Sequence, residues 1–122
     1  MYVLYRQVKL QSNQIASGFT IDNRRILSNA HAVANQSIIR IQKHGDPKKY
    51  PGRILHIAHE CDFAIMTVDD DKFWDNVKPL TFNNNIPNLQ DEVIVVGYPI
   101  GKYKQRVFCF YIIYICVHTR RW

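Results

Sequence analysis

Apolar and polar residues alternate with a period of two along most of this chain, in short runs that mostly stop at Gly, Pro, Asn or Asp. That pattern selects β-structure. Successive side chains of a strand point to opposite faces, and turn residues must reverse the chain between strands. "MYVLYRQVKL" alternates loosely and reads as a first strand. "ASGFTI" and "RRILSN" meet at Asp22 and Asn23, a polar pair suited to a tight turn, and read as a hairpin. "SIIRIQK" is a strand with Ile39 and Ile41 on one face, and "HGDPKKYPG", with its two prolines, reads as a loop. "RILHIAH" alternates again, with Ile54, His56 and Ala58 facing one way and Leu55 and Ile57 the other. "FAIMTV" is almost continuously apolar, which predicts a strand buried on both sides. "DDDKFWDNV" reads as one helical turn anchored by Phe73 and Trp74, with aspartates suited to its N-terminus. "KPLTF" reads as a short strand, "NNNIPN" as a loop, and "DEVIVVGYP" as a strong strand punctuated by Gly97 and Pro99. The expected fold class is all-β.

The 122 residues suit one domain, and 47% hydrophobic against 21% charged residues is a globular balance. Two segments are expected. Residues 1–101 form the β-domain, and residues 102–122 form an apolar tail, "RVFCFYIIYICV" at its centre, where the alternation stops. Two readings of that tail stand side by side: a terminal strand that closes the barrel, or an aberrant C-terminus. No run reaches the roughly 18 apolar residues needed to span a bilayer, so no membrane is expected. The N-terminus has no secretory pattern.

Charge is uneven. Residues 1–60 hold nine Lys/Arg and three Asp/Glu, whereas residues 61–122 hold seven of each. A basic half invites nucleic acid, but single-strand binding needs aromatic side chains interleaved with the cations. Residues 43–53 offer only Tyr50, so nucleic acid is not an expected partner and the cations read as a solvated face. Cys61, Cys109 and Cys116 are odd in number, which argues against a disulfide framework and for a reducing compartment. Their spacing matches no zinc pattern, and no metal or other cofactor is expected.

The segment "SNAHAV", residues 28–33, sets His31 among small neighbours just after a strand. Histidine is the side chain best suited to take and return a proton near neutral pH. Asp62 opens the strand "DFAIMTV", and a carboxylate at the mouth of an apolar strand needs hydrogen-bond donors. An imidazole N–H is one such donor. On spacing alone His56 and His59 serve as well as His31, and an ordinary structural histidine beside a capping aspartate fits equally.

At these residues the chain resembles a known family. "ASGFTID", "RRILSNAHAV", "KHGDPKKYPGRILHIAHECDFAIMTVDD" and "DEVIVVGYPIG" are similar, in order and separation, to segments of the Deg/HtrA (Do-like) serine proteases, the plant Do-like group in particular. The resemblance covers roughly residues 14–101. It matches His31 to the family's catalytic histidine and Asp62 to its catalytic aspartate. It implies a chymotrypsin-like fold of two six-stranded antiparallel barrels, of which this chain holds the first while the second is largely missing. It also implies a polypeptide substrate, association with other Do-like protomers, and residence in a chloroplast or mitochondrion.

The family's chain order is His, Asp, Ser. All four serines here, Ser12, Ser17, Ser28 and Ser37, precede Asp62, and no glycine-rich nucleophile turn follows it. Cys109 and Cys116 are set among bulky aromatic and isoleucine neighbours with no glycine to shape an oxyanion hole. The expectation is a serine endopeptidase by family, inactive as the chain stands. The alternative is a non-enzymatic β-barrel that binds or regulates intact Do-like proteases.

Overall fold

The structure, a computed structural model, describes residues 7–11, 15–97 and 106–111. Six strands close a barrel: β1 (Gln7–Gln11), β2 (Ile15–Ile21), β3 (Arg25–Asn29), β4 (Ile39–Lys43), β5 (Lys49–Ala58) and β6 (Phe63–Thr67). All neighbours are antiparallel, in the order β1-β2-β3-β6-β5-β4, and β4 returns to β1 through Val8↔Lys43 and Leu10↔Ile41. A four-residue helix α1 (Ala30–Val33) follows β3, a 3-10 turn (His59–Cys61) precedes β6, and a second four-residue helix α2 (Asp71–Trp74) follows it. β7 (Glu92–Gly97) and β8 (Arg106–Tyr111) pair with each other as a two-stranded sheet. The fold is all-β, as the alternation requires, with its first six strands closed into one antiparallel barrel.

The barrel interior is filled from the alternating positions. Ile26, Ile41 and Met66 are fully buried, joined by Val33 of α1 and Phe73 of α2. Because β3 and β6 run antiparallel, with Asn29 opposite Phe63, α1 and the start of β6 share one rim. The helix α2 follows the other end of β6 and so sits at the opposite rim. There Phe73 stoppers the barrel, edge-on to Tyr50 at 5.2 Å and to Trp74 at 4.9 Å between ring centroids. Asp70 caps α2, its carboxylate accepting from the Lys72 N–H at 2.9 Å.

Four local expectations fail, each for a physical reason. The loop read into "HGDPKKYPG" ends early, since β5 already starts at Lys49. Pairing of β5 with β6 begins only at Arg53, so Pro51 lies where β5 has a single neighbour and a missing N–H is tolerated. In "RILHIAH" the alternation breaks at a bulge, with Ile54 opposite Met66 but His56 opposite Ile65. Ile54 and Ile57 therefore both reach the core, and His56 faces solvent. In β6 only Ala64 and Met66 are buried, while Phe63 is 51% exposed, so the strand is buried on one face. "KPLTF" forms no strand: Leu80 donates a single backbone bond to Thr20 at 2.8 Å, and Pro79 beside it has no N–H to extend a ladder.

Three cations of the basic half meet carboxylates from the second half in space. Asp69, Asp70 and Asp71 meet Arg53, Lys48 and Arg24 around the α2 rim. Arg53 makes a two-pronged contact with Asp69, 2.7 and 3.1 Å, and this guanidinium holds the Asp69 carboxyl below its ordinary range. These pairs are solvent-exposed and contribute little individually. Among the described residues no helix is long and apolar enough to cross a membrane. The remainder of the expected first strand, Pro99 and Cys116 lie outside the described residues.

Replacing Phe73 by Ala removes the stopper and is expected to cost about 3–5 kcal/mol, read as a fall in the urea midpoint at unchanged slope. A change under about 1 kcal/mol would show that α2 does not close the core.

Candidate active site

The reversal from β3 to β4 begins with one turn of helix, α1, and its first N–H groups need partners from outside the helix. Asn29 stands at the N-cap position, with φ −87° and ψ 142°, but its own side chain makes no capping bond. Asp62 supplies the partners from across the rim. Its backbone carbonyl accepts from the Ala30 N–H at 3.0 Å, and its Oδ1 accepts from the His31 N–H at 2.8 Å. The carboxylate is thus a helix cap delivered from 31 residues downstream.

The same carboxylate holds the imidazole. Oδ2 lies 2.7 Å from His31 Nδ1. An ionised carboxylate only accepts, so Nδ1 carries the proton and Nε2 keeps the free lone pair. Among the described residues nothing else bonds to the His31 ring. Asn29 Nδ2 also donates to Oδ2 at 3.2 Å and to the Asp62 carbonyl at 3.4 Å. Asp62 adopts a left-handed backbone, φ 56° and ψ 39°, at the end of the 3-10 turn, where its N–H donates to the His59 carbonyl at 3.3 Å. Aspartate tolerates that region better than most residues.

The donors converge on the ionised form. The His31 backbone N–H and then the His31 ring hold the Asp62 carboxyl below its ordinary value, with a smaller contribution from Asn29. The site is open: the His31 side chain is 71% exposed and that of Asp62 44%. At such exposure the ion pair contributes little to stability, and the bonds chiefly set direction.

The structure therefore brings His31 and Asp62 together and leaves the other candidate bases aside. His56 faces solvent on β5, and His59 offers Asp62 only its backbone carbonyl. His31 lies in the single helical turn of α1, just after β3. Ser28 is buried and donates its hydroxyl to the Ser17 carbonyl at 2.7 Å. Cys61 is exposed and forms no disulfide among the described residues. Sequence reading missed the role of Asn29. The signal present was its residue type, a strong helix-cap former, directly before a run of small residues.

The chain resembles known proteins. A family model described as "Trypsin-like peptidase domain" matches residues 16–119. The chain belongs to the trypsin-like peptidases, in their Deg/HtrA (Do-like) group. It is 43% identical over 91 residues to "Protease Do-like 4, mitochondrial" of Arabidopsis thaliana, covering 75% of this chain and 17% of that protein. It is 46% identical over 85 residues to "Serine protease DegP homolog" of Plasmodium falciparum (isolate 3D7), covering 70% of this chain and 10% of that protein. Among solved structures, the inactive form of the Rv3671c protease superposes with a TM-score of 0.71 at 27% identity, covering 83% of this chain and 48% of that one. The chain thus spans under a fifth of these two relatives' lengths and about half of the solved structure.

Asp62→Ala is expected to lower stability through the loss of the α1 cap, read as a fall in the urea midpoint. Asp62→Asn should shift the His31 ring towards the other tautomer, visible in its imidazole nitrogen shifts. The pH dependence has a defined sign. Asp62 is held below its unfolded value, so its contribution is complete above the unfolded carboxylate range and is lost as pH falls through the folded value. Acid unfolding of Asp62→Ala should accordingly lack that part of the wild-type loss. Identical acid curves would refute the coupling.

Proposed function

We propose that this domain supplies the base and the orienting carboxylate of a serine endopeptidase site. The observation that carries the reading is the 2.7 Å contact between His31 Nδ1 and Asp62 Oδ2, with Nε2 left open at an exposed rim. In this role Nε2 takes the proton of an attacking serine hydroxyl. The resulting imidazolium stays paired with Asp62, and the proton passes on to the leaving amine. The substrate class is polypeptide. Fusing the nucleophile-bearing lobe of an intact Do-like protease in frame behind this barrel should restore peptide hydrolysis. Removing His31 or Asp62 from the fusion should lower kcat by on the order of 10⁴-fold. A fusion that stays active as His31→Ala would overturn the reading, as would one that folds without activity.

The 122-residue chain by itself is inactive in this reading. Its four serines precede Asp62, and the buried Ser28 already spends its hydroxyl on a carbonyl. A serine-reactive fluorophosphonate probe should leave the purified chain unlabelled, and stoichiometric labelling would refute this.

A second reading, a barrel that pairs with intact Do-like protomers, has its own observation. Phe19, Leu27 and Ile65 stand in register across β2, β3 and β6 on the outer face, each half-buried and Phe19 edge-on to the exposed Phe82, with Phe63 half exposed on the same face of β6. Such an apolar row suits an interface. Co-purification of the chain with a full-length relative would favour this reading. Residence in a mitochondrion or chloroplast rests on the names of relatives such as Do-like 4, mitochondrial, and Do-like 2, chloroplastic.

A further inference from the structure

Asn29 occupies the place where a side chain ordinarily caps its own helix, and asparagine is among the best residues for that task. Here the arrangement is exchanged. The cap comes from Asp62, and the Asn29 amide turns outward to donate to Asp62. Its Nδ2 lies 3.2 Å from Oδ2 and 3.4 Å from the carbonyl oxygen of the same residue. One amide group therefore bridges the main chain and the side chain of Asp62, which restrains both torsions of that side chain.

The restraint matters because the carboxylate is accessible to water. Oδ1 is occupied by the His31 N–H, and Oδ2 must serve the imidazole. Oδ2 has a second acceptor site, and water bound there competes with the ring for the orientation of the carboxylate. The Asn29 amide fills that site with a donor attached to β3, the strand that leads directly into α1.

We propose that Asn29 is a positioning residue for the His31–Asp62 pair, holding Oδ2 in line with Nδ1 and so keeping the proton on Nδ1 and the lone pair on Nε2. This rests on the reading of the pair given above. It predicts that a change at position 29 disturbs the pair even where the helix cap is preserved.

The test uses the full chain and two NMR readouts, the His31 Nδ1–H resonance and the pH titration of the Asp62 carboxyl carbon. Asn29→Ser retains a good helix-cap residue but lacks the reaching amide. Asn29→Asp retains the shape but sets a second carboxylate against the first. The titratable groups on the elements that meet Asp62 are His31 on α1 and His59, Glu60 and Cys61 on the 3-10 turn, all retained in both variants.

The Nδ1–H signal should broaden or vanish in both variants. The Asp62 midpoint should rise in Asn29→Ser and rise further in Asn29→Asp, while thermal unfolding of Asn29→Ser stays near wild type. An unchanged signal and midpoint in both variants, with the signal lost in Asp62→Ala, would overturn the role of Asn29 and leave the pair standing. Absence of the signal from the wild-type chain would instead overturn the pair and this inference with it. Unfolding of both variants would assign Asn29 to folding and equally overturn the proposal.

Discussion

The carboxylate of Asp62 joins the two chain reversals at one rim of the barrel. It terminates a 3-10 turn in a left-handed conformation, caps the first turn of α1 through the His31 N–H, and grips the ring of that same residue. The backbone bond and the ring bond go to the two oxygens of one group, so the helix start and the imidazole orientation are set together. Neither can relax without loosening the other. This coupling is how a one-turn helix, anchored by the buried Ala30, Ala32 and Val33, keeps its one exposed side chain aimed.

The opposite rim solves a different problem. There a fully buried aromatic ring, Phe73, closes the barrel, and the surrounding cations are answered by three consecutive aspartates. The closed rim supplies packing, and the open rim carries the paired base and carboxylate. Hydrophobic burial is non-directional and suits a stopper, whereas hydrogen bonds are directional and suit a proton-transfer group. The division suits the proposed role: a rigid end to stand on and an accessible end to present.

Much of the architecture was legible from the residues. Alternation identified β2, β3 and β4 from the runs at 16–21, 24–29 and 37–43, and the aspartates before Phe73 and Trp74 marked α2. The misses were places where a neighbour overrides the local pattern. The bulge at residues 54–56 turns His56 outward, a shift that only the partner strand's register imposes. Strand β5 runs through Pro51 because no second neighbour asks for that N–H. The segment at 78–82 reads as a strand but finds one bond to Thr20 in place of a ladder.

The site divides in the same way. Residue chemistry named His31 and Asp62, since only such a pair supplies a near-neutral base and an acceptor-only partner, and family likeness preferred them over His56 and His59. Spacing along the chain could not decide among the three histidines, because 31 residues separate the groups that touch. Barrel closure made the choice. Antiparallel pairing of β3 with β6 sets the residue after one strand beside the residue before the other, and that places the His31 imidazole, alone among the described residues, on the carboxylate. The Asn29 contact belongs wholly to this second level: its identity is plain in the chain, but its target exists only once the two strands lie side by side.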